Sequence, residues 1–229
     1  MIVHLSQQLN KKQMSLFKKK IYACCHSEPQ QQMINDSIVD TFIVAFSRGF
    51  AVINAYTSQI LITSQSPYKG AAFISTLNNS NIMAIIPSEK DFVHIWDLKK
   101  KCILFGISLL NQDVITGLVL RPDCVIVISI LSFSIFNLYD RNQLSSRVTS
   151  ANPSGAFDIP PSFSSELAAI LSKTPGEFQF FSLNEPSKSF PSIKAFPKGI
   201  DVLRFNPNGN IVAVASKSNT KIRIYRAPI

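Results

Sequence analysis

Glycine is scarce in this chain, with 8 among 229 residues. That excludes collagen-like and glycine-linker architectures. Cysteines number four, too few to build a disulfide scaffold of this length. Charged residues are only 16% and hydrophobic residues 46%. This is the reverse of a disordered composition and is enough to bury a substantial core. No stretch reads as a spanning helix of about 20 apolar residues. One of the long uncharged runs, Cys124 to Tyr139, has 16 residues and contains Ser and Asn. It alternates and is rich in β-branched residues, so it reads as two buried strands.

Sequence addresses and catalytic signatures are also missing. The N-terminal region lacks a charged-then-apolar signal peptide, because Lys18, Lys19 and Lys20 precede polar sequence. Without a secretory signal, Cys24, Cys25, Cys102 and Cys124 are expected as reduced thiols in a cytosolic protein. Cys24-Cys25-His26 lacks the spacing of a metal pair. His94 has no serine or cysteine elbow to accompany it. Dinucleotide, P-loop and zinc-protease motifs are absent. The expectation is a protein that is not an enzyme, with no cofactor and no metal.

What charge there is lies at the ends. The net charge is +9. Residues 1–30 hold five lysines against one glutamate, and residues 31–185 hold 10 bases against 12 acids. Residues 186–229 hold eight bases against one acid, Asp201. A basic C-terminal region fits a polyanionic partner, whether nucleic acid, anionic lipid or an acidic protein. A solubilising surface would carry the same charge.

The chain also repeats. Residues 1–37, rich in Gln, Lys and Ser, read as a poorly ordered basic and polar leader with room for one short helix or strand. Beyond it, one pattern of alternating apolar residues returns five times, as Phe50–Ala55, Val93–Leu98, Phe133–Leu138, Phe178–Leu183 and Ile222–Ala227. The starts are 43, 40, 45 and 44 residues apart. A four-stranded propeller blade takes about 40–45 residues, and a sandwich has no reason to keep that period. The predicted strands include Ala71–Leu77, Cys124–Ser129, Glu166–Ser172, Asn210–Ala215 and Lys221–Arg226. Within the last, Ile222 and Ile224 are expected in the core, with Arg223 and Tyr225 on the other face. The expected fold is all-β: a partial β-propeller of WD40-like four-stranded blades over residues 38–229.

Three stretches resemble a known family. They are Leu118-Val-Leu-Arg-Pro-Asp-Cys-Val-Ile-Val-Ile128, Ala151-Asn-Pro-Ser-Gly155, and Phe205 through Tyr225 with its Ala215-Ser-Lys-Ser-Asn-Thr-Lys-Ile-Arg223 core. They are similar to third-, fourth- and fifth-blade segments of the PROPPINs, the WD-repeat proteins of autophagy that bind phosphoinositides. The resemblance covers residues 38–226, about four to five blades of that family's seven-bladed ring. It implies phosphoinositide-binding roles for Ser216, Thr220 and Arg223. Lys194, Lys198, Lys217, Lys221 and Arg226 are expected as a supporting basic patch. Asn219 stands where the family has glycine, and Phe196 where it has a histidine lining the site. The family's Phe-Arg-Arg-Gly motif would fall after residue 229, which marks this chain as resembling a C-terminally truncated member.

The resemblance implies an adaptor for 3-phosphorylated phosphoinositides. It would sit in the cytosol and at phagophore, endosomal or vacuolar membranes, with autophagy protein partners at blade edges. The alternative is a protein-interaction propeller without lipid recognition. Nucleic acid is not an expected partner, since RNA-reading modules and a stacked aromatic platform are missing.

Overall fold

The computed structural model describes residues 21–24, 30–34, 37–46, 49–65, 70–88, 92–109, 113–160, 166–188 and 190–228. All regular structure among them is strand. The chain divides into two compact units, Met1–Leu110 with Leu118–Pro122, and Asn111–Gly117 with Asp123–Ile229.

The first unit opens with β1 (Ile21–Cys24), β2 (Gln30–Ile34), β3 (Ser37–Phe46), β4 (Gly49–Asn54) and β5 (Ile60–Gln65). They run in the order β1-β3-β4-β5, with β2 also on β3. β3 is 10 residues long. It takes β2 along its first half and β1 along its last. Two strands thus arise inside the segment expected to be a leader, and residues 1–20 lie outside the described residues. The next sheet is an antiparallel meander of β6 (Ala71–Thr76), β7 (Ile82–Pro87), β8 (Phe92–Asp97) and β9 (Cys102–Ser108). The core of this unit gathers Ile43, Phe50, Val52, Met83, Trp96 and Leu98. Phe50 meets Trp96 edge to face at 5.6 Å.

The second unit holds two further four-stranded meanders. One is β10 (Ile115–Leu120), β11 (Cys124–Ser129), β12 (Ser132–Asn137) and β13 (Gln143–Val148). The other is β14 (Phe157–Asp158), β15 (Leu167–Leu171), β16 (Glu177–Ser182) and β17 (Ile193–Lys194). The last sheet has three strands, β18 (Val202–Phe205), β19 (Ile211–Ala215) and β20 (Arg223–Arg226). All six residues of β11 are buried, as a strand covered on both faces requires. β19 buries only Val212 and Val214 fully, the pattern of a strand covered on one face.

The five sequence repeats occupy one structural position. β4, β8, β12, β16 and β20 are each the third strand along their sheet's path. The repeat also encodes its own turn. Asn54, Asp97 and Asn137 sit at its fifth position, and each side chain accepts backbone N–H groups two and three residues on. Such Asx caps bend the chain out of the strand. Four residues after each cap, Ser58, Lys101 and Arg141 take φ of 56°, 56° and 65°, and the chain turns back. The Lys99-Lys100-Lys101 run is this hairpin turn.

One core expectation is reversed. Val93, Ile95, Ile135 and Phe180 are buried. Ile222 and Ile224 are not, at 68% and 62% exposure. Tyr225 takes the inward side instead, opposite Val212 in the sheet and 5.1 Å from the Phe178 ring. Alternation then turns Ile222 and Ile224 outward.

Candidate anion-binding site

The site is assembled from the turn before β16, the segment after β17 and the β19–β20 hairpin. Gly176 has φ +79°, and a Cβ there would collide with the carbonyl oxygen of Phe196. The Gly176 carbonyl accepts both the Ala195 N–H at 2.9 Å and the Phe196 N–H at 3.0 Å. Glycine therefore lets two chain segments close on each other. Phe196 is held at 1% exposure in a core that includes Phe178, Phe180, Leu203 and Val212.

Above Phe196 lies Arg223. β20 pairs with β19 so that Arg223 stands opposite Val214. Its guanidinium carbon is 5.3 Å from the centre of the Phe196 ring, a cation–π distance. The backbone of Arg223 is thus on the inward face with Tyr225, while its charge remains exposed at the rim. The Phe196 ring lies beneath the guanidinium.

The hairpin turn has its own hydrogen bonding. Ser216 is 6% exposed, and its Oγ lies 2.9 Å from Ser218 Oγ. The Asn219 N–H donates to the Ser216 carbonyl at 3.0 Å, and Asn219 Oδ1 accepts the Lys221 N–H at 3.0 Å. Asn219 thus occupies the glycine position through a side-chain-braced turn. Thr220 is exposed just before β20. Asp201 ties the turn to β18: its Oδ2 accepts the Lys217 N–H at 2.7 Å, and its Oδ1 is 3.8 Å from Lys217 Nζ.

The fold divides the bases of the C-terminal region into two sets. Lys188, Arg204 and Lys217 have carboxylate partners in Glu185, Asp158 and Asp201. Among the described residues, Lys194, Lys198, Lys221, Arg223 and Arg226 have none, and all five are exposed. Lys194 and Lys198 flank Phe196 along the chain. Arg226 lies on the opposite face of β20 from Arg223, by alternation. The expected patch therefore separates: Lys217 is neutralised, and Arg226 faces away. The partner of Lys217 is separated by 16 residues and is set by the β18–β19 register, which sequence spacing does not reveal.

The other candidate residues are structural. His94 is half-buried in β8, its ring tilted against Phe92 at 5.8 Å, and burial lowers its pKa. Burial would raise the Asp97 carboxyl. The N–H groups of Lys100, Asn81 and Lys99 outweigh that and hold it below its ordinary value. Cys102 is exposed and Cys124 buried, and neither is in a disulfide.

No protein-family model matches the sequence. Solved structures do resemble the fold. Hsv2 from Kluyveromyces lactis matches with a TM-score of 0.68 at 19% identity, over 89% of this chain and 61% of that one. The same protein with loop 6CD replaced by a Gly-Ser linker matches at 0.69 and 19%, over 89% and 63%. Hsv2 from Kluyveromyces marxianus matches at 0.67 and 19%, over 87% and 62%. This chain thus spans less than two thirds of the length of the Hsv2 chains it matches. Hsv2 is a PROPPIN. By fold, the chain is a β-propeller similar to Hsv2.

Proposed function

We propose that this protein is a peripheral membrane adaptor in autophagosome formation. It recognises phosphatidylinositol 3-phosphate or phosphatidylinositol 3,5-bisphosphate at the β19–β20 hairpin. The observation that carries this reading is Arg223, whose guanidinium carbon lies 5.3 Å over the Phe196 ring and which has no carboxylate partner among the described residues. A ring contact is no bond to a carboxylate, so the guanidinium keeps N–H donors for a phosphate. A phosphate monoester can take two of them at once. Thr220 adds a hydroxyl donor, and Ser216 acts by shaping the turn. Lys194, Lys198 and Lys221 add attraction to an anionic surface, at about 1 kcal/mol each. The adaptor would move between cytosol and phagophore, endosomal or vacuolar membranes, with autophagy proteins bound at sheet edges.

Vesicle co-sedimentation tests this. Vesicles carrying the 3-phosphoinositide should capture the protein better than phosphatidylserine vesicles of matched charge, at physiological salt. Equal capture by both would reduce the interaction to non-specific charge. A second reading, an interaction propeller without lipid recognition, is favoured by Phe196, a buried apolar ring where the resembled family has a histidine. On that reading partner binding survives Arg223→Ala, and lipid binding is undetectable from the start.

A further inference from the structure

One strand of the first unit is held mainly by polar contacts. β2 reads Gln30-Gln31-Gln32-Met33-Ile34. It pairs along the first half of β3, from Gln30 opposite Thr41 to Ile34 opposite Ser37. It also meets the turn between β6 and β7, in the next sheet of the same unit, through a parallel bridge between Gln32 and Ser80. There the Met33 N–H donates to the Ser80 carbonyl at 3.1 Å, and the Asn79 N–H donates to the Gln31 carbonyl at 2.9 Å. β2 thus straps two sheets together.

The strap has little apolar anchorage. Gln31 and Met33 are exposed, and Ile34 supplies a buried apolar side chain. By contrast, β4 buries Phe50, Ala51, Val52 and Ile53 in a row. The fully buried residue of β2 is Gln32, at 0% exposure. Its amide nitrogen donates to the Gln31 carbonyl at 3.0 Å and to the Leu77 carbonyl at 3.4 Å. Both neighbours are acceptors, so the nitrogen has to face them and the oxygen has to face away. Gln32 Oε1 is therefore buried with no hydrogen-bond partner among the described residues. A buried acceptor left unpaired costs about 1–3 kcal/mol.

We infer that β2 is a releasable strap, which parts from β3 and from the β6–β7 turn while the rest of both sheets stays folded. Segments with few buried apolar contacts open first in a native protein. Opening returns Gln32 Oε1 to water, and that relief offsets part of the hydrogen bonding lost. β3 keeps its pairing with β4, and β1 keeps its own pairs with Val44, Ala45 and Phe46. The β6–β9 meander is complete without β2. The open form exposes the Ser37–Thr41 backbone edge of β3 and the turn at Asn79 and Ser80. This goes beyond the headgroup reading and uses none of its residues.

The test is native-state amide exchange of the isotope-labelled 229-residue chain, read by NMR over a series of low urea concentrations. The Met33 and Asn79 amides report on the contact between β2 and the β6–β7 turn. They should be protected about tenfold less, or weaker still, than the best-protected amides of β4. Their exchange should depend little on urea, because opening β2 uncovers little surface, whereas β4 amides should follow the full slope of global unfolding. Gln32→Met keeps an unbranched side chain of similar length and removes the unpaired oxygen. It should raise protection at Met33 and Asn79 about tenfold, the scale of one unsatisfied buried acceptor. Exchange of Met33 and Asn79 with the same protection and urea slope as β4 would overturn the inference, since β2 would then open only with the whole unit. Unchanged or lower protection in Gln32→Met would also overturn it. The wild-type comparison decides the first point even if the variant does not fold.

Discussion

Single side chains fix the turns on which this molecule depends, and Asp97 is the clearest. It is 5% exposed and accepts N–H groups from Asn81, Lys99 and Lys100. Its folded pKa lies below its ordinary value. Its stabilising effect is therefore complete above the unfolded pKa and is lost as pH falls through the folded one. Asp97→Ala should cost about 1.5–3 kcal/mol at neutral pH, the scale for a charged acceptor. In urea unfolding across a pH series, the gap between wild type and variant should narrow below about pH 4. Asp158 has the opposite sign. Burial raises its pKa despite the 2.7 Å bond from the Phe205 N–H and the nearby Arg204. Its ionisation therefore disfavours the fold, and stability is lost as pH rises through its folded pKa. Asp158→Asn, which keeps an acceptor for the Phe205 N–H, should flatten that part of the pH profile. An unchanged slope would exclude Asp158 as its source. Gly176→Ala places a methyl group against the Phe196 carbonyl in a left-handed turn. It should lower the melting temperature and loosen the platform beneath Arg223 together.

Strands were largely legible in the sequence, because period two and the 40–45-residue recurrence are local signals. Cys124–Ser129 forms β11 with the expected bounds. What failed was the side of β20 that is inward. Alternation separates Ile222 and Ile224 from Arg223 and Tyr225 but does not say which pair is covered. The choice belongs to Phe178, which packs on Tyr225 from 47 residues away in the chain. The place of β2 within the leader was not legible for a different reason. Gln30, Gln31 and Gln32 have no apolar alternation, yet they pair with Thr41, Asp40 and Val39. Gln32 is fully buried with its amide 3.4 Å from the Leu77 carbonyl. Tertiary pairing overrides weak strand propensity there. The corrected facing can be checked by paired truncations. Leu203→Ala, at 0% exposure, should cost about 2–5 kcal/mol. Ile224→Ala should stay within about 0.5 kcal/mol, as for a surface site. Comparable losses at both positions would contradict the assignment.

At the scale of the whole molecule, the ends carry the charge and the folded sheets decide which of it is available. The net charge of +9 was visible at once. That Glu185, Asp158 and Asp201 neutralise three of the C-terminal bases was not, because the Asp158 and Asp201 pairs depend on how strands are brought together. That Ser216, Thr220 and Arg223 share one hairpin was legible in the sequence. The Phe196 ring under Arg223 and the pairing of Lys217 with Asp201 required the fold. The most direct test is a titration of the isotope-labelled chain with the soluble inositol 1,3-bisphosphate headgroup, watched by NMR at the Arg223 side-chain Nε–H and the Thr220 and Lys221 amides. The account predicts saturable shifts at these groups, weakened about tenfold or more by Arg223→Ala, the scale of a charge-assisted hydrogen bond, and not reproduced by inorganic phosphate at the same concentration. Shifts spread over the Lys99-Lys100-Lys101 turn, or none at Arg223, would contradict it.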